Sequence, residues 1–135
     1  MKNKKILLMQ VREATGEKID NPDTVHKLMK EEAKADRECV WVLHLNTRNK
    51  IIEKELVSMG SLNHSLIHAR EIFKKAIVLG ANSIIVVHNH PSGNTTPSND
   101  DNLVMDSLKQ AGELLRIPMI DFMIISKNGY FSMKE

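Results

Sequence analysis

The run Ser83-Ile84-Ile85-Val86-Val87-His88 constrains this chain more than any other segment. Its four consecutive β-branched residues lose side-chain freedom in a helix and sit well on a pleated surface, so the run reads as a strand. Apolar side chains at successive positions, instead of every second one, require cover on both faces of that strand. A doubly covered strand belongs inside a sheet with helices on either side. The prediction is an α/β sandwich, a mixed sheet flanked by helices.

The neighbouring residues supply those layers. Helical spacing over 65–79 puts Leu66, Ala69, Phe73, Ala76 and Ile77 on one face, and Gly80 follows where a left-handed cap is wanted. A polar loop over 89–97 precedes a helix that begins near Ser98 and carries Leu103, Val104, Leu108, Ala111 and Leu115. Earlier, Asn21-Pro22-Asp23 opens a helix with proline in its first turn, continued by Val25, Leu28, Met29 and Ala33 to about Asp36. Strands are expected over 4–11, 40–45 and 50–58, with Thr47-Arg48-Asn49 turning the last two into a hairpin. A second hairpin is expected where 119–125 and 130–133 flank Asn128-Gly129.

The chain has 135 residues, 41% hydrophobic and 27% charged, which is enough for one core and too little for two ordinary domains. No repeat or Gly/Ser-rich linker divides it, so residues 1–135 are read as one domain. The apolar stretch Ile6-Leu7-Leu8-Met9 is too short for a signal peptide core, and no run reaches the ~20 residues of a membrane span. The lone Cys39 excludes an internal disulfide framework and a cysteine-rich zinc fold, so a cytoplasmic location is expected. A net charge of +2 and an aromatic content of 4% count against nucleic acid as the main partner. Met59, Leu62 and Leu66 offer an apolar surface for a homo-oligomer.

Chemistry concentrates in His88-Asn89-His90-Pro91-Ser92-Gly93-Asn94-Thr95-Thr96-Pro97-Ser98-Asn99-Asp100-Asp101. Histidines two apart at a strand end point to one side of the sheet and can share one Zn²⁺ at ~2.0–2.1 Å. Pro91 stops the strand and the loop turns the chain back. Asp101 then falls in the first turn of the next helix, where its carboxylate can return as a third ligand. Three such ligands leave a fourth position for water, the pattern of a catalytic zinc site. Plainer readings stand beside this one. The histidines can be two polar residues at a sheet end, and Ser98 with Asp101 fits a capping box. His26, His44, His64 and His68 have no ligand spacing and read as structural or surface groups. Arg70 with Lys74-Lys75 reads as a solvated face.

His88-x-His90-Pro91, six residues, then Ser98-x-x-Asp101 resembles the JAMM motif of the JAB/MPN metallopeptidase-like family. The longer string through Ser92-Gly93 and Pro97-Ser98, with Gly60, Asn63 and Arg70-Glu71 before Phe73, is similar to its RadC-like branch. The resemblance covers about residues 20–133. It implies a cytidine-deaminase-like sandwich that holds one Zn²⁺ through His88, His90 and Asp101. It also implies an upstream glutamate that activates water, placed here at Glu38 with Glu53 and Glu55 as rivals, and a serine, Ser98, that helps hold the oxyanion. The implied activity is hydrolysis of an amide or isopeptide bond in a peptide or protein. Cys39 is then not needed as a nucleophile and reads as a small buried strand residue.

The sequence departs from the branch in three places. Asp121 is followed by Phe122 where an Asp-His pair is often found, and no proline precedes Arg70-Glu71. Only about 20 residues precede the first helix, so the DNA-binding helix-hairpin-helix region of longer members is expected to be absent. The alternative function is a DNA-repair-associated accessory protein of RadC type with a structural or vestigial metal site. A metal-free interaction module is a third.

Overall fold

The computed structural model describes residues 16–59 and 68–135. The strand expected over 4–11 lies outside the described residues, as do Gly60, Leu62, Asn63, His64, Leu66 and the expected helix start at 65. Within them the order is α1 (Pro22–Leu28), a 3₁₀ turn (Glu32–Lys34), β1 (Cys39–Leu45), β2 (Ile51–Met59), α2 (Ala69–Leu79), β3 (Ser83–Asn89), α3 (Asn99–Leu115), β4 (Met119–Ser126) and β5 (Gly129–Ser132).

The strands form one five-stranded sheet in the order β2-β1-β3-β4-β5. The run of β-branched residues is its centre: β3 pairs antiparallel with β1 and parallel with β4. All its residues are buried. The parallel pair needs a crossover, and α3 supplies it. The predicted α/β sandwich with a mixed sheet flanked by helices is thus the observed one.

Each face has its own core. Cys39, Trp41, Leu43 and Leu45 of β1, with Ile85 and Val87 of β3, pack against Val25 of α1, its C-cap Met29, and Ala33 and Ala35. Val40, Val42, Ile84 and Val86 point the other way, onto Ile72, Phe73 and Ala76 of α2 and Val104, Met105 and Leu108 of α3. By this alternation His88 falls on the α3 side. The β1–β3 ladder ends with Val40 opposite His88, so the start of β1 lies beside the end of β3.

Several expectations are corrected by packing. α1 ends at Leu28 and not near Asp36, because Ala33 and Ala35 are both buried. Residues two apart lie on opposite sides of a regular helix, and the extended backbone at Ala35 (ψ 141°) lets both face the sheet. In α2, Ile72, Phe73 and Ala76 form the buried face, while Ile77 is 58% exposed. Leu103 and Leu115 of α3 are likewise exposed, Met105 and Gly112 taking their place inside. In the β4–β5 hairpin Ser126 pairs with Gly129, so Lys127 and Asn128 are the turn residues. The Ser126 hydroxyl accepts from Asn128 N and donates to the Gly129 carbonyl, which shifts the turn one residue from Asn128-Gly129. Gly80 caps α2 at φ 65°, as predicted. Among the described residues no helix is long and apolar enough to cross a membrane.

Candidate metal centre

Three elements meet where β3 ends. Pro91 cannot continue the ladder, although His90 N still donates to the Ile125 carbonyl at 3.0 Å. Gly93 then takes φ 94°, and Gly93 N closes a turn onto the His90 carbonyl. The loop returns the chain to Ser98, the N-cap of α3. Here the plainer reading of the sequence is also true. Asp101 N donates to Ser98 Oγ at 3.0 Å and Ser98 N to Asp101 Oδ2 at 2.8 Å, a complete capping box.

The cap does not use up Asp101. Its side chain is 1% exposed, and Oδ1 lies 3.7 Å from His88 Nε2 while Oδ2 lies 3.2 Å from His90 Nε2. Candidate ligand atoms of His88, His90 and Asp101 all fall within 4.8 Å of one another. Tetrahedral ligands ~2.0–2.1 Å from an ion stand about 3.3 Å apart, so the two nitrogen–oxygen separations suit a shared small cation. The capping box orients this carboxylate.

The imidazoles are oriented from behind. His88 Nδ1 lies 3.0 Å from the Cys39 carbonyl, and His90 Nδ1 lies 2.6 Å from the Asn94 carbonyl. A carbonyl only accepts, so each Nδ1 is the protonated nitrogen and donates. In the neutral rings both Nε2 lone pairs then face the Asp101 carboxylate. Two lone pairs against an anion repel, and a cation between them turns that repulsion into ligation. Burial holds His88 below the usual imidazole range, against the pull of the Cys39 carbonyl and the Asp101 and Glu38 carboxylates. The neutral ring is the form that binds metal.

The carboxylates expected to compete for one role are separated. Glu38, just before β1, places Oε1 3.4 Å from His88 Nε2, and its side chain is 37% exposed. Glu53 pairs with Lys75 of α2 at 3.0 Å, and Glu55 lies 2.9 Å from the buried His44. Of these three, Glu38 stands at the centre. Cys39 is buried, and burial pushes its thiol up to about 11, which disfavours the thiolate at neutral pH. Asp121 lies on the other face of the sheet, where it accepts from Ser132 Oγ at 2.7 Å and Lys134 N at 3.1 Å. Phe122 is buried in the core beneath the helices.

The pattern of the RadC-like JAB domain family matches residues 19–135. The chain belongs to that family. A UPF0758 protein of Chlorobium chlorochromatii is 54% identical over 99 residues, 73% of this chain and 45% of the relative. Similar proteins of that name occur in Thermotoga maritima, 43% identical over 91% of this chain and 55% of the relative, and in Clostridium perfringens, 44% identical over 93% and 56%. The chain spans about half the length of the curated relatives it matches. The RadC-like match takes in all four residues at the centre.

Sequence reasoning missed the groups that aim the rings. The Cys39 and Asn94 carbonyls are backbone atoms and leave no mark on residue type. Asn89, the residue between the histidines, did carry a signal: a polar side chain placed inside a doubly buried strand must find partners there.

Proposed function

We propose that this chain is a zinc-dependent hydrolase of an amide or isopeptide bond in a peptide or protein, with His88, His90 and Asp101 as ligands, Glu38 as general base and Ser98 at the oxyanion. The observation that carries the reading is the direction of the imidazoles. Both Nδ1 protons are spent on backbone carbonyls, so both Nε2 atoms converge on a buried carboxylate with a second, partly open carboxylate beside them. Two imidazoles and one carboxylate suit zinc, and three protein ligands leave a coordination position open. Zinc held there would supply Lewis acidity and bring the pKa of a water towards ~7.

The chain's own residues do the rest. Glu38 takes a proton from the attacking water as its oxygen bonds to the carbonyl carbon, then delivers that proton to the leaving nitrogen as the C–N bond breaks. Its partial exposure leaves room for the nitrogen to approach. The Ser98 hydroxyl accepts from Asp101 N with a lone pair, which leaves its own proton free for the oxygen that gains charge during attack. Asp101, itself nearly inaccessible, is held by Ser98 N and stays aimed at both rings.

A quenched fluorescent library of peptide- and isopeptide-linked substrates tests this reading. Glu38→Gln is expected to keep zinc and fold while losing ~10²–10⁴-fold in turnover, the usual worth of a general base. Undiminished turnover in that variant would remove Glu38 from the role. A zinc-loaded parent that cuts nothing in the library would contradict the hydrolase reading.

A further inference from the structure

The β1–β3 ladder stops at Val40 opposite His88, and one residue further a side chain continues it. Asn89 is 0% exposed and makes two bonds to the backbone of one short segment. Its Oδ1 accepts from Cys39 N at 2.6 Å, and its Nδ2 donates to the Arg37 carbonyl at 2.9 Å. These contacts bracket Glu38, which lies between Arg37 and Cys39. The same segment turns the Cys39 carbonyl onto His88 Nδ1.

We propose that Asn89 is a positioning residue: its carboxamide clamps the segment 37–39, and through that segment holds Glu38 against the metal centre. The inference rests on the role given to Glu38 above. Its chemistry is specific to the amide. One partner is a backbone donor and the other a backbone acceptor, spaced as a peptide group would meet them, and an asparagine side chain is a peptide-like group of the right reach. Aspartate offers no donor to the Arg37 carbonyl. Leucine offers neither bond and leaves Cys39 N buried without a partner. Glu38 lies just before β1 and its side chain is partly exposed, so the ladder alone does not hold it. His90 and Asp101 are oriented by the Asn94 carbonyl and by Ser98, which Asn89 does not touch.

That independence gives the test. Crystal structures of the parent chain and of Asn89→Ala, each grown with and without added Zn²⁺, read the position of Glu38 directly. The expected result is that the Glu38 carboxylate leaves His88 Nε2 by more than ~1.5 Å. The His90–Asp101 separation should stay as in the parent. A Glu38 that keeps its place would overturn the proposal, and so would a displacement of His90 and Asp101 as large as that of Glu38. Should Asn89→Ala not fold, Asn89→Ser reads the same quantity, because its short hydroxyl cannot reach both Cys39 N and the Arg37 carbonyl and it adds no charge. Turnover of the peptide library supplies a second readout. Asn89→Ala should slow the parent ~10-fold or more and leave the residual rate of Glu38→Gln unchanged, because a residue that acts through Glu38 has nothing left to act on. Equal slowing in both backgrounds would mark Asn89 as merely structural. If no zinc binds, the functional reading fails, while the position of Glu38 in the metal-free crystals still decides this proposal.

Discussion

At the residue scale, Asp101 completes a capping box with Ser98 and is at the same time a candidate metal ligand. The capping box uses Asp101 Oδ2, and Oδ1 remains turned towards His88. The two roles separate by mutation. Ser98→Ala is expected to cost about 1 kcal/mol in a denaturation experiment, the worth of an N-cap, and to retain metal. Asp101→Ala should lose both the cap and the metal, and metal retained by that variant would remove Asp101 from the ligand set. Cys39 makes a different prediction. With its thiol near 11 against an ordinary 9.0, the thiolate fraction at pH 7 falls about a hundredfold. Labelling by a thiol reagent should therefore be at least that much slower than for a free thiol, until the chain is unfolded. The histidine spacing was legible because both rings lie at the end of one strand, His88 in β3 and His90 just past it, and Asp101 in the next element. Their orienting partners were not: Cys39 lies 49 positions from His88, and only the fold brings its carbonyl there.

At the scale of elements, patterns that packing enforces were legible and those that it overrides were not. The β3 run could be nothing other than a central strand, and Gly80 could end α2 because a left-handed residue favours glycine. The break after α1 was hidden, since Val25, Met29 and Ala33 keep perfect helical spacing; only the burial of Ala35 as well requires the chain to leave the helix. Gly112 of α3 carries a further prediction. A Cβ there would meet Ile117 O at 2.8 Å, Met119 N at 3.0 Å and the Phe73 ring at 3.3 Å. The first two are backbone of the connection into β4 and cannot turn aside. Gly112→Ala should therefore destabilise by ~1–3 kcal/mol although alanine favours helices, as urea unfolding would read. Unchanged or increased stability would show that α3 can slide away from that connection.

At the scale of the whole molecule, the sheet sets its polar extremes apart. The candidate centre gathers at the carboxyl end of β3, while Asp121 is buried on the opposite face with Ser132 and Lys134 N as partners. Burial pushes Asp121 above the usual carboxylate range more than those bonds lower it. The folded chain therefore holds this proton where the unfolded chain has released it. Stability falls as pH rises from about 4 through the raised value, and the cost persists at neutral pH. Asp121→Asn keeps an acceptor for Lys134 N and can donate to Ser132 Oγ. It is expected to raise the thermal midpoint at pH 7, with a gain that fades towards pH 3. A gain independent of pH would assign it to packing instead.

The central claim is that His88, His90 and Asp101 bind one metal ion. Metal content by mass spectrometry tests it most directly, on protein purified without chelator and beside a His88→Ala/His90→Ala variant checked for fold by circular dichroism. About one zinc per chain in the parent and none in the folded variant is the predicted result. A parent that takes up no zinc when it is added back at neutral pH, or a variant that keeps it, would contradict the account.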